Sequence, residues 1–75
     1  MKDLVEFMAK AIVEHPEHVQ VQEVRSGRTL VYQLEVSPED KGRIIGKGGG
    51  VADAMRALLR VAALKRGQRV ILEIL

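Results

Sequence analysis

The sequence predicts a single α+β domain with elements in the order α-β-β-α-α-β, folded as a three-stranded mixed sheet with helices packed on one face. Three observations predict it. Apolar residues recur at helical spacing near the amino end, alternate with polar ones at Val19 and Val21 and follow a period of two at Leu30, Tyr32, Leu34 and Val36, and return to helical spacing from Val51. Ser26-Gly27 interrupts the alternating stretch, the mark of two strands joined tightly enough to be antiparallel. A last alternating run, Arg69 to Leu75, is separated from those strands by helical sequence, so a right-handed crossover should set the second and third strands parallel.

Residues 3 to 15 are expected to form the first helix. Asp3 with Glu6 gives a cap signal, Leu4, Met8, Ala11 and Ile12 share a face, and Pro16 stops the helix before it. Val19 to Arg25 reads as the first strand and Thr29 to Val36 as the second, with Leu30, Tyr32, Leu34 and Val36 on one face. Arg25 and Arg28 fall at the hairpin tip, where a solvated role is expected. Ser37-Pro38-Glu39-Asp40 is a helix start: Ser caps, Pro suits the first turn, and Asp40 can return a bond to the cap. The helix it opens is cut short by glycines. A longer helix should run from Val51 to Arg66 and end at Gly67, with Val51, Ala54, Met55, Leu58, Leu59 and Ala62 toward the core and Asp53, Arg56 and Arg60 opposite. In the last strand Val70, Leu72 and Ile74 oppose Ile71, Glu73 and Leu75, which suits a well-covered strand or an edge awaiting a partner.

With 75 residues, 47% of them apolar, and no cysteine, the chain must be stabilised by one core without disulfides, as suits a reducing compartment. Nothing approaches a membrane span in length, and Asp3 and Glu6 stand where a signal peptide would be basic, so a cytoplasmic location is expected. A net charge of +2 hides an asymmetry: residues 1–40 carry 4 basic and 8 acidic side chains, residues 41–75 carry 8 basic and 2 acidic. The basic half suits contact with a polyanion. His15 and His18 have no third or fourth ligand nearby in sequence, so neither a metal nor another cofactor is expected. With no cysteine, no nucleophile-base pair and too little chain for a deep pocket, an enzyme is not expected.

The functional signal lies in Lys41-Gly42-Arg43-Ile44-Ile45-Gly46-Lys47-Gly48-Gly49-Gly50-Val51. Glycines let the backbone approach another molecule, the start of the following helix offers unpaired N–H groups, and Lys47 adds a charge; together these favour a phosphate. A Walker loop is excluded because only three residues separate Gly42 from Gly46-Lys47 and position 48 is Gly rather than Ser or Thr. The dinucleotide fingerprint is excluded because Val51 stands where its third glycine belongs. Gly-x-x-Gly at Gly46 to Gly49, after Ile44-Ile45 and before an apolar helix, does fit: it resembles the KH domain, whose GxxG loop clamps the backbone of about four nucleotides. The element order matches the type II KH fold over nearly the whole chain, and the likeness is to small stand-alone bacterial KH proteins of the KhpA type.

That resemblance implies binding of single-stranded RNA. Gly46, Lys47, Gly48 and Gly49 would meet the sugar-phosphate backbone, with Ile44 and Ile45 in a groove for unstacked bases. Lys41, Arg43 and Arg56 are the further basic candidates. It also implies an RNA-chaperone or post-transcriptional regulatory role and pairing with itself or with a larger KH-containing partner of the KhpB type. Phe7 and Tyr32 are the only aromatic residues, too few for the base stacking of RRM or OB folds. The extra glycine, Gly50, is expected to loosen the next helix. The competing reading is a KH-fold interaction module acting mainly as a dimer subunit. Its sequence support is a second apolar row on the long helix, Ala54, Ala57, Val61 and Leu64, which would serve as a homodimer interface if the first helix leaves it open.

Overall fold

A computed structural model describes residues 1–75. The alternating stretch forms β1 (Gln20–Ser26) and β2 (Thr29–Glu35), antiparallel from Gln20 opposite Glu35 to Ser26 opposite Thr29. The final run forms β3 (Arg69–Ile74), parallel to β2 from Thr29 beside Arg69 to Leu34 beside Ile74. The sheet order is β1-β2-β3, so β2 is central and β1 and β3 are edges. Leu30, Tyr32 and Leu34 point from β2 into the core, with Tyr32 and Leu34 wholly buried. Burying each such side chain is worth about 1.5–3 kcal/mol.

Three helices complete the order: α1 (Lys2–Ile12), the single-turn-and-a-half α2 (Lys41–Ile45) and α3 (Gly50–Leu64). The predicted α-β-β-α-α-β arrangement is therefore present, with the hydrophobic core joining α1, α2 and α3 to the inner faces of the strands. Gly50 is the first residue of α3, with helical φ −62° and ψ −38°.

Three local expectations are corrected. Helix α1 ends at Ile12, not residue 15, and its buried residues are Val5, Met8 and Ala9, leaving Ala11 exposed. The cause of the early end lies far along the chain. The amides of Glu14 and His15 donate to the Asp40 carboxylate at 3.1 and 3.0 Å instead of continuing the helix. Asp40 accordingly does not serve a capping box, and the Ser37 side chain makes no cap bond.

The third correction concerns how α3 is turned. Its buried residues are Ala52, Met55, Leu59 and Ala63, while Ala54 and Leu58, expected in the core, are exposed. The helix is rotated so that its Arg56 side meets β3. Small Ala52 and Ala63 stand at either end of the buried stripe. Leu58 is left facing a groove between α1 and α3.

Candidate nucleic-acid interface

The glycine loop is built in two parts with different duties. Gly46 adopts φ +74°, a left-handed value costly to residues with a Cβ, and a Cβ there would stand 2.7 Å from the Val51 amide nitrogen and 2.8 Å from the Val51 Cβ. The position closes the loop onto the first turn of α3 and admits no side chain. Gly48 also has a positive φ, +64°, but nothing lies within 4 Å of where its Cβ would be. It is the open tip, bare enough for another backbone to approach. Internal bonds occupy the Gly46 amide, on Gly42 O at 2.8 Å, the Gly49 amide, on Gly46 O at 3.1 Å, and the Gly50 amide, on Lys47 O; none takes the amide of Lys47 or Gly48. Lys47 is exposed and forms no ion pair, so the tip combines a free cation, free amides and the positive end of a fifteen-residue helix.

Behind the loop, Asp40 ties three segments together. Its side chain is 1% exposed and holds the chain leaving α1 through two amides, while Arg43 of α2 lies 3.8 Å away and itself pairs with Glu14 at 2.6 Å. Burial would raise the Asp40 carboxyl, but the two amide donors, with His15 and Arg43, outweigh it and hold it below the ordinary carboxylate value. His15 is shifted upward, chiefly by its hydrogen bond to Glu39 at 3.0 Å. No local pattern in the sequence signals this staple, because Asp40 and the amides it holds are more than twenty residues apart.

The candidate residues separate accordingly. Lys41, Lys47, Gly48 and the 39%-exposed Ile45 are available at the surface, and Gly46 and Gly49 shape the turn between them. Ile44 is wholly buried, so the expectation that it lines a base groove is corrected: it anchors α2 in the core. Arg43 is committed to Glu14 and Asp40. Arg56 spends its Nε and Nη2 on Leu72 O at 3.3 and 3.1 Å, with Nη1 on Asp53 at 3.3 Å. It thereby fixes α3 against β3 and forms one wall of a cleft of about 190 Å³ that also involves Leu59, Arg60 and Ile71. Ala54, Ala57, Val61 and Leu64 are all exposed, so α1 leaves that row uncovered. Phe7 and Leu58, 72% and 58% exposed, extend the apolar surface across the groove between α1 and α3.

A family model described as the KhpA/KhpB KH domain matches residues 2–74. The chain belongs to that family. It is 45% identical over 75 residues to an RNA-binding protein KhpA of Clostridium perfringens, covering all of both chains. It is 43% identical to an RNA-binding protein KhpA of Aquifex aeolicus, covering all of this chain and 95% of the relative. Among solved structures, the fold is similar to part of Era from Aquifex aeolicus bound to GDP and aluminium fluoride, with a TM-score of 0.64 at 24% identity. It is similar also to Era in complex with MgGDPNP and a segment of 16S ribosomal RNA, with a TM-score of 0.58 at 23% identity. In both cases the match covers 97% of this chain and 28% of the Era chain, and at that identity it speaks for a shared fold alone. No helix is long and apolar enough to cross a membrane.

Proposed function

We propose that this protein binds single-stranded RNA, seating the sugar-phosphate backbone on the loop from Gly46 to Gly49 and directing bases toward the cleft between α3 and β3. The observation that carries the reading is the bare tip at Gly48 beside an uncommitted Lys47, at the head of α3 in the basic half of the chain. Family membership and relatives named for RNA binding support it. Ile45 supplies the apolar contact first assigned to Ile44 as well, Lys41 adds charge, and Arg56 acts as a fixed wall while Arg60 stays free. The same reading gives a chaperone or post-transcriptional regulatory role in the cytoplasm, with no catalysis.

Replacing Lys47 and Gly48 by Asp tests this. Asp tolerates a left-handed backbone better than most residues, and neither position touches the core, so the variant should fold. Two negative charges at the phosphate site should weaken RNA binding at least tenfold, on the order of 1.4 kcal/mol or more. Wild-type affinity in a variant with unchanged circular dichroism would refute the reading.

A second reading concerns partners and rests on the uncovered α3 row. Ala54, Ala57, Val61 and Leu64, continued by Leu58 and Phe7, form an apolar surface on a small soluble domain, and small Ala54 and Ala57 permit close approach of a second copy. We assign this surface to a homodimer, or to a larger KH-containing partner of the KhpB type. Sedimentation should give a dimer for the wild type at tens of micromolar, on the order of weak-dimer affinities, and a monomer for Val61→Asp. A wild-type monomer, or a variant that stays dimeric, places the contact elsewhere.

A further inference from the structure

The β1–β2 hairpin tip and the turn from α3 into β3 meet at one end of the sheet. The Arg69 amide donates to Arg28 O at 2.8 Å, and Ser26, Thr29 and Arg69 form one row across the three strands. This end of the sheet carries Arg25 and Arg28 on the hairpin, Lys65 and Arg66 in the turn, and Arg69 at the start of β3. All five are exposed, and none forms an ion pair. Glu23, two residues before Arg25 on β1, accepts the Tyr32 hydroxyl at 2.6 Å and forms no ion pair with any of them. Like charges gathered without partners repel one another, and an external polyanion would relieve that repulsion.

The position of the cluster matters as much as its charge. Fifteen residues of α3 place it about 21 Å from the glycine loop, too far to share one phosphate with Lys47. Arg60 bridges the interval: it lines both the cleft with Arg56 and a second hollow formed with Ala63, Gln68 and Arg69. Four of the five cations are arginine, whose planar fork matches phosphate oxygens two at a time. We propose that this end is a second phosphate-binding site, which takes the RNA backbone as it leaves the cleft and extends the footprint beyond the four or so nucleotides of the loop clamp. The proposal rests on the RNA-binding reading of the loop.

The test is a pair of RNA lengths and a pair of variants. Arg28→Glu with Arg69→Glu leaves the loop intact, and the bond joining the two residues is between backbone atoms, so it should survive. An oligonucleotide of about four nucleotides, the length of the loop clamp, should bind this variant as it binds the wild type. One of about twelve should bind at least tenfold more weakly, and its log-log salt slope should be shallower by about 1.4, roughly 0.7 for each lost contact. Should the charge reversal unfold the protein, Arg28→Gln with Arg69→Gln should show the same length-dependent change to a smaller degree. Unchanged affinity and slope for the longer RNA would reduce the cluster to a solvated surface and overturn the proposal. Equal losses for both lengths would overturn it too, since the end would then not be separate from the loop. A wild type that binds neither RNA would instead overturn the reading of the loop, and this proposal with it.

Discussion

The two ends of α3 are both basic, but they are built differently. At its start, a left-handed glycine packs against Val51, Asp40 holds the chain leaving α1, and Arg43 is committed to acidic partners. At its finish, five exposed cations surround two turns with no ion pair between them and any carboxylate. A site that must present its own backbone to a ligand has to be rigid, because the approach distance is fixed by the main chain. A site that offers only long charged side chains can remain loose, since Arg and Lys adjust to the phosphate. The loop should therefore fail through geometry and the arginine end through charge.

The largest effect that separates the two is expected from Gly46→Ala. The added Cβ would meet Val51 nitrogen at 2.7 Å at a positive φ, so strain and overpacking together should cost about 2–4 kcal/mol of stability. Thermal unfolding followed by circular dichroism measures it, and RNA binding should fall as the loop is displaced. A variant of wild-type stability would mean that the loop is not braced against α3.

Salt sharpens the comparison next. With three or four phosphates neutralised at the loop end, log affinity for a short oligonucleotide should fall with log salt at a slope of about −2 to −3. Between 50 and 200 mM salt that is roughly a 16- to 64-fold loss. Binding that ignores salt in this range would remove the electrostatic part of the argument.

Acid and the Asp40 staple come third. The Asp40 carboxyl lies below its ordinary value of 3.8, so its stabilisation is present above that value and is lost as pH falls through the lower, folded one. Asp40→Ala should lower Tm by several degrees at neutral pH, and the gap from the wild type should narrow on acidification below the carboxylate range. A pH-independent gap would show that charge at this position is not what holds the chain. His15 has the opposite sign: raised above 6.5, its contribution is complete below that value and fades as pH rises through the folded one. A smaller loss than that of Gly46→Ala is expected from Gly48→Ala. With open space around the Cβ, only the left-handed backbone resists it, at about 1–2 kcal/mol. A loss as large as that of Gly46→Ala would erase the distinction between brace and tip.

Much of this was legible in sequence because it is local. A period of two places Leu30, Tyr32 and Leu34 on one face whatever surrounds them, Ser26-Gly27 makes the turn, and the glycines between Ile45 and Val51 interrupt the helix where they stand. Element order and the position of the loop therefore follow from residues within a few places of one another. The tertiary structure decided what depends on competition between distant groups. Helix α3 carries more apolar residues than one sheet can cover, and the stripe that wins, Ala52, Met55, Leu59 and Ala63, is the one that also brings Arg56 to Leu72 O. Of the neighbouring pair Ile44 and Ile45, a five-residue helix can bury only the one that faces the core. Asp40 could cap its own turn or reach across to Glu14 and His15, and local sequence does not distinguish these. Packing brings those amides within 3.1 Å, where a buried carboxylate must accept them or go unpaired.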